Sequence, residues 1–256
     1  MSIPPSDARP KSLHFRRVSV HTPRLGVLRE FYRDVLRLEL AEDAHDAASF
    51  VAGSTVLRFV LERIESPLYH FAFNIPENLI ESCMTWTAAR VELVRNPGTG
   101  STLVHFPNWN AHSTYFWDPG GNLVEFIARH TLPNARQGHA SFDSPRDVLC
   151  VSELGVATED VGKTDEELTA RLGLARYAPP KDGKLLNDFR AMGDEHGLFI
   201  VVRRGRRWFM TGTGAEPFPS AAEVEVAGRE PVAAKFDLGD TQCRVSTTAA
   251  ASPARK

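Results

Sequence analysis

The chain opens on alternating apolar and polar positions: residues 13–20 (LHFRRVSV) read as a half-buried strand. Thr22-Pro23 then supplies a helix N-cap followed by proline at the first helical position. Leu25, Leu28, Phe31, Tyr32, Val35 and Leu36 recur at helical spacing, which predicts a helix with one inward face. Three short β-rich runs follow at residues 38–42, 49–52 and 56–62, with Gly53-Ser54 as the turn between the last two.

The pattern then restarts. Residues 69–75 (YHFAFNI) predict a strand, and Leu79, Ile80, Cys83 and Trp86 mark an amphipathic helix. Strands are expected near 92–94, 102–106, 113–117 and 123–128. The last two are joined by Asp118-Pro119-Gly120-Gly121-Asn122, whose proline fixes φ and whose glycines tolerate positive φ.

A third copy starts near Leu149. One gapless shift of the first unit places Thr22 on Thr158, Gly26 on Gly162, Leu36 on Leu172 and Leu38 on Leu174. Thr164 and Glu167 read as a capping box, Gly173 as a C′ residue, and 189–192 and 198–202 as strands. Beyond Trp208 the pattern degrades. Residues 224–226 and 243–245 fit strands, but no helix accompanies them, so a fourth unit is absent or truncated.

The fold class is therefore α+β, built of tandem βαβββ units. Residues 1–12 and 246–256 are expected to be disordered tails. A paired module is expected over 13–129, a Pro- and Gly-containing linker over 130–148, and a second, incomplete module over 149–245. The small-molecule cup is expected inside 13–129.

Composition narrows the classes. Apolar residues at 42% and charged residues at 24% are globular values, and a net charge of −2 gives no pull towards nucleic acid or anionic membrane. Arg203, Arg204, Arg206 and Arg207 flank Gly205 and read as a solvated hairpin turn. Three cysteines without CxxC spacing suit free, buried thiols in a reducing compartment. The first residues lack a signal-peptide core and no run reaches membrane-span length, so the expectation is a cytoplasmic protein.

Phe31-Tyr32, the His70-Phe71-Ala72-Phe73 strand and the run from Asp118 to Phe126 (DPGGNLVEF), set in a repeated strand–helix–three-strand frame, carry a resemblance. The chain resembles the vicinal-oxygen-chelate superfamily, which includes glyoxalase I, extradiol ring-cleaving dioxygenases and bleomycin-binding proteins. The resemblance covers residues 13–129 best and 149–202 less closely. It implies an open sheet holding a divalent metal on its concave side. The expected ligands are a His opening the first strand of each of two units and a Glu on a last strand. Imidazole and carboxylate together suit Fe²⁺, Mn²⁺, Ni²⁺ or Zn²⁺, and open positions let a substrate chelate through adjacent oxygens.

Carried over residue by residue, the resemblance puts metal ligands at His70 and Glu125. The first-unit position falls on Arg17, which cannot ligate because its guanidinium is never deprotonated. An optional fourth position falls on Leu57 or Arg58. In the third unit the first-strand position is Glu153 and the last-strand one Ile200 or Val201, so that unit carries no metal set of its own. Arg17 would then pair with Glu125 or fork around an anionic substrate, and His21, on the same strand face, could replace the lost ligand. Tyr115 stands ten residues before Glu125, where ring-cleaving relatives place a tyrosine near the substrate, so either a general acid or a packed strand residue is expected. His112 lies in a loop able to meet a ligand, and Trp109 there either stacks on an aromatic substrate or covers the core.

Two functions follow from the resemblance. One is an enzyme of the glyoxalase or extradiol-dioxygenase kind, catalytic through Tyr115 and Glu125, binding a small oxygen-rich or aromatic substrate with Arg17, Trp109 and His112. The other is a non-catalytic binder of a drug or anion. Cups in the superfamily are in places shared across a dimer, so a homodimer stands beside closure within one chain. No GxSxG, P-loop or dinucleotide fingerprint occurs.

Overall fold

The structure, a computed structural model, describes residues 12–63, 68–138, 141–179, 183–211, 216–217, 220–227 and 235–248. The expected tails lie outside these except for Ser12 and for residues 246–248, which end the last strand at Thr248. The first unit is β1 (His14–Thr22), α1 (Leu25–Glu30, continued as a π-helical turn over Phe31–Val35), β2 (Glu39–Asp43), β3 (Ala47–Ala52) and β4 (Thr55–Leu61). The second is β5 (His70–Ile75), α2 (Ile80–Ala88), β6 (Val104–Phe106), β7 (Ala111–Trp117) and β8 (Leu123–Arg129). The run at 92–94 forms no strand, only an isolated bridge from Leu93 to Phe116. A short α3 (Ser144–Asp147) precedes β9 (Cys150–Thr158), α4 (Val161–Leu172), β10 (Phe189–Asp194) and β11 (Gly197–Arg203). The fourth unit is reduced to β12 (Ala222–Ala227), β13 (Lys235–Leu238) and β14 (Cys243–Thr248), with no helix among the described residues.

α4 corrects one expected cap. Its N-cap is Asp160, whose side chain accepts from the Lys163 amide at 3.0 Å; Thr164 sits inside the helix and back-bonds to the Asp160 carbonyl. Gly173 closes the helix at φ 60°, as expected of a C′ glycine.

The units pair differently from the expectation. One seven-stranded sheet runs β13-β14-β12-β1-β4-β3-β2 and the other β10-β11-β9-β5-β8-β7-β6. The first unit thus joins the truncated fourth, and the second joins the third. A cup closed by residues 13–129 is corrected to one built by the second and third units. The strands' own residues explain the sorting. β5 and β9 are almost wholly buried and need central places. β1 carries exposed Arg17, and its antiparallel register on β12 sets Arg17 opposite Glu225, an opposite-charge cross-strand pair.

The sheets share one apolar core. Phe15 of β1 and Phe199 of β11 meet edge to face at 5.3 Å, and Val18, Phe50, Phe59, Phe73 and Phe126 belong to the same cluster. Residues of the other parity on β5, β7, β8, β9 and β11 face the opposite way and line the cup.

Candidate functional site

Strand register builds the site. Ala72 on β5 pairs with Glu125 of β8 on one side and Glu153 of β9 on the other, and Glu125 pairs in turn with Tyr115 of β7. Two carboxylates therefore flank one methyl group on a single row. His70, two residues before Ala72, projects from the same face. Its Nε2 lies 3.6 Å from a Glu125 carboxylate oxygen and 3.8 Å from one of Glu153. One donor atom from each of the three residues falls within 4.8 Å of the other two, and all three residues are buried.

The DPGGN turn positions the histidine. Asp118 Oδ1 accepts from the Gly120 and Asn122 amides, both at 2.9 Å, and Gly121 takes φ 92°. Tyr32 donates to Asp118 Oδ2 at 2.9 Å, tying the first unit's FY pair to the second unit's turn. The turn starts β8 with the Leu123 amide on the Tyr69 carbonyl, which brings the Leu123 carbonyl 3.1 Å from His70 Nδ1. A carbonyl only accepts, so Nδ1 carries the proton and the Nε2 lone pair faces both carboxylates.

Three acceptor atoms thus converge in a buried space, and such an array requires a cation. Either a proton on Nε2 or a divalent metal supplies it. An imidazole nitrogen and two carboxylates, with the imidazole's other nitrogen on a carbonyl, are the donor set and outer hydrogen bond of a borderline-metal site. The residues fit a metal.

Electrostatics separate the two carboxylates. Burial, reinforced by Glu153's charge, pushes the Glu125 carboxyl up to about 7 against the pull of His70. Burial also opposes the charge on Glu153, but Arg129 and His70 outweigh it and hold that carboxyl below its ordinary range. Burial opposes the His70 imidazolium, and the two carboxylates more than offset it, so its pKa is raised. Tyr115 is pushed well up by burial and by Glu125 and Glu153, so it stays a neutral hydroxyl beside Glu125.

Above this floor the cup encloses about 250 Å³. Phe106, Trp109, Phe189, Ile200, Trp208 and Phe209 make most of its wall. Gly155 allows the Trp208 wall: a Cβ there would meet the indole at 2.4 Å and the His70 Cβ at 3.2 Å. At the mouth, Arg206 lines the cup while holding Asp188 at 3.2 Å. It belongs to the arginine cluster expected to be a solvated hairpin turn. The turn exists, with Gly205 at φ 77°, but residues 206–211 after it form no strand and return to the cup.

The expected site residues divide. His70, Glu125, Tyr115 and Trp109 all line the cup. Arg17 is exposed on the other sheet, outside the cup, so neither a pairing with Glu125 nor a grip on a substrate there holds. His21 is on that sheet too, 2.6 Å from Glu62. His112 lies on the far face of β7, with Nδ1 2.8 Å from His130 Nε2 and its ring stacked on His105. The third group converging with His70 and Glu125 is Glu153 rather than Arg17, because the second unit's partner is the third unit. The gapless shift aligns Glu153 with Arg17, but in sequence the third unit carries no metal set of its own, which leaves Glu153 without a role. Arg129 and Trp208 carry no sequence signal, and Arg206 is visible in sequence only as part of the arginine cluster read as a solvated turn.

No protein-family model matches the chain. No curated protein matches it. Solved structures do. A proposed dioxygenase from Bacillus subtilis superposes with a TM-score of 0.58 at 14% identity, covering 93% of this chain and 86% of that one. A point mutant of glyoxalase I from Zea mays gives 0.50 at 14% identity, covering 85% and 76%. At such identities the likeness is one of fold.

Proposed function

We propose that this chain, which has the vicinal-oxygen-chelate fold of paired βαβββ units, is a metal-dependent enzyme acting on a small aromatic substrate that carries adjacent oxygens. The observation that carries the reading is the convergence of His70 Nε2, Glu125 and Glu153 at the floor of an aromatic-walled cup. His70, Glu125 and Glu153 would hold the metal. A divalent metal there would polarise chelating substrate oxygens and leave positions open for them.

The chain's own residues supply the rest. Aromatic walls exclude water from the floor and favour a flat ring over a strongly polar ligand. Tyr115, neutral and beside Glu125, offers an O–H where charge would build on a substrate oxygen. Glu125, paired with Tyr115 across the sheet, is the carboxylate placed to exchange a proton with a bound substrate. Trp109 supplies a face for stacking at the cup wall. The fold hosts ring-cleaving, isomerising and lyase chemistry alike, and the aromatic walls favour the ring-cleaving class.

A second reading has its own support: a His70 imidazolium between two carboxylates satisfies the floor without metal, leaving a non-catalytic cup for an aromatic drug-like compound. Elemental analysis of protein purified without chelators separates the two. The enzyme reading expects about one equivalent of Fe, Mn, Ni or Zn, lost in His70→Ala and Glu125→Gln. Protein that carries no metal and takes up none on reconstitution would overturn it in favour of the binder.

A further inference from the structure

The cup floor holds two carboxylates, and only Glu153 is paired with an arginine among the described residues. Arg129, the last residue of β8, is fully buried. Its Nη2 donates to Glu153 Oε1, and its Nε donates to Asn74 Oδ1 at 3.1 Å. Asn74 is itself anchored, donating through Nδ2 to the Glu195 carbonyl at 2.7 Å. The guanidinium also lies against two rings, 5.6 Å from the Trp109 centroid and 5.6 Å from that of Tyr177. It is therefore held from several sides. The other Glu153 oxygen, Oε2, is the one that approaches His70 Nε2, at 3.8 Å.

Glu125 is built differently. Apart from His70, its neighbours include the hydroxyls of Ser113 and Tyr115, neither of which carries charge. Beyond His70, which both carboxylates share, Glu125 meets no cation among the described residues, whereas Glu153 is half of a buried ion pair with Arg129.

We propose that Arg129 is a positioning residue that turns Glu153 into a ligand of zero net charge, fixing Oε1 and presenting Oε2 alone towards the metal. This rests on the metal reading above. It assigns the floor one anionic ligand, Glu125, and two effectively neutral ones, His70 and the Glu153–Arg129 pair. A divalent ion then keeps a net positive charge in the cup, which is what draws and polarises an oxygen-bearing substrate. Two unpaired carboxylates would cancel that charge and would also repel one another across Ala72.

The test is metal affinity, measured by competition with a chromophoric chelator using Zn²⁺ and Mn²⁺ separately, alongside melting temperature without metal. Arg129→Met should weaken metal binding by about 10- to 100-fold, the range set by loss of a partner that orients a ligand. Glu153→His combined with Arg129→Met should recover most of that loss, since a neutral imidazole needs no cationic partner. Arg129→Met folds less securely, so Asn74→Ala, which loosens the guanidinium while leaving its charge, gives the same measurement in a milder form and should weaken binding severalfold.

The inference is overturned if Arg129→Met and Asn74→Ala lower the melting temperature but leave metal affinity unchanged, the mark of a purely structural residue. It is equally overturned if the Glu153→His, Arg129→Met double variant binds no better than Arg129→Met alone. Failure of the metal reading looks different: wild type and His70→Ala would then bind the metals equally weakly, whatever stands at position 129.

Discussion

Glu125 and Glu153 face each other across a single methyl group, that of Ala72, on three adjacent strands. Neighbouring strands stand roughly 4.8 Å apart, so the two carboxylate-bearing positions are about 10 Å apart at the backbone and converge only because Ala72 leaves the space between them open. Ala72→Leu fills that space. It should cost about 1–3 kcal/mol by overpacking a fully buried position. It should also abolish metal uptake without touching a ligand. Urea unfolding and metal analysis check both, and full metal uptake in this variant would contradict the placement of the site on this row.

Arg17 offers the opposite expectation. It is exposed, on the other sheet and opposite Glu225, and it does not line the cup. Arg17→Ala should leave metal affinity and aromatic-ligand binding unchanged. The loss of one exposed cross-strand pair should shift stability by no more than about 1 kcal/mol. A marked loss of ligand binding, read by tryptophan fluorescence titration, would mean that the first unit contributes to the cup after all.

These two residues show what the sequence could disclose. The repeat, the helices and most strands were legible because hydrophobic period is a local property, and His70 and Glu125 stood at recognisable places in a local motif. Which unit pairs with which was not legible, since it depends on contacts between strands distant in sequence: Glu153 with Ala72, Arg17 with Glu225. A pairing of units adjacent in sequence places Arg17 at the ligand position and leaves Glu153 without a role. Arg129 was hidden for a similar reason. A strand-end arginine is ordinarily solvated, and only the approach of β9 shows that this one is buried.

The link between the FY pair and the DPGGN turn rests on Tyr32 and Asp118. Asp118 accepts four hydrogen bonds, from Tyr32, the Gly120 and Asn122 amides and the Asn122 side chain. Tyr32→Phe removes one of them and leaves the carboxylate otherwise satisfied, so the cost should be about 1 kcal/mol. Asp118→Ala removes the acceptor for all four and should cost about 3 kcal/mol or more. It should also weaken metal binding, because the turn sets the Leu123 carbonyl that orients His70. Similar losses in the two variants, measured by denaturant unfolding, would argue against the turn as the shared anchor.

Gly155 is predicted to be intolerant. A Cβ at this position would meet Trp208 at 2.4 Å and must displace the indole or His70. Gly155→Ala should destabilise by about 1–3 kcal/mol. It should also change tryptophan emission, since Trp208 would lose its packing 5.1 Å from the His70 ring. Unchanged emission and stability would mean that the Trp208 wall is looser than its contacts indicate.

The three thiols should be inert in the folded protein. Cys83, Cys150 and Cys243 are all free and buried. Burial pushes the Cys150 and Cys243 thiols up to about 12 and raises that of Cys83 as well. The thiolate is the reactive form, and a thiol with a pKa near 12 is only about one part in ten thousand thiolate at pH 8. Native protein mixed with a chromogenic disulfide reagent should therefore release almost no colour over minutes, and denatured protein should release three equivalents. Raising the pH from 7 to 9 should accelerate native labelling as the thiolate fraction grows, while leaving it far slower than that of denatured protein at the same pH. A fast-reacting single thiol at pH 7 would show that α2, β9 or β14 is far more exposed than its packing implies.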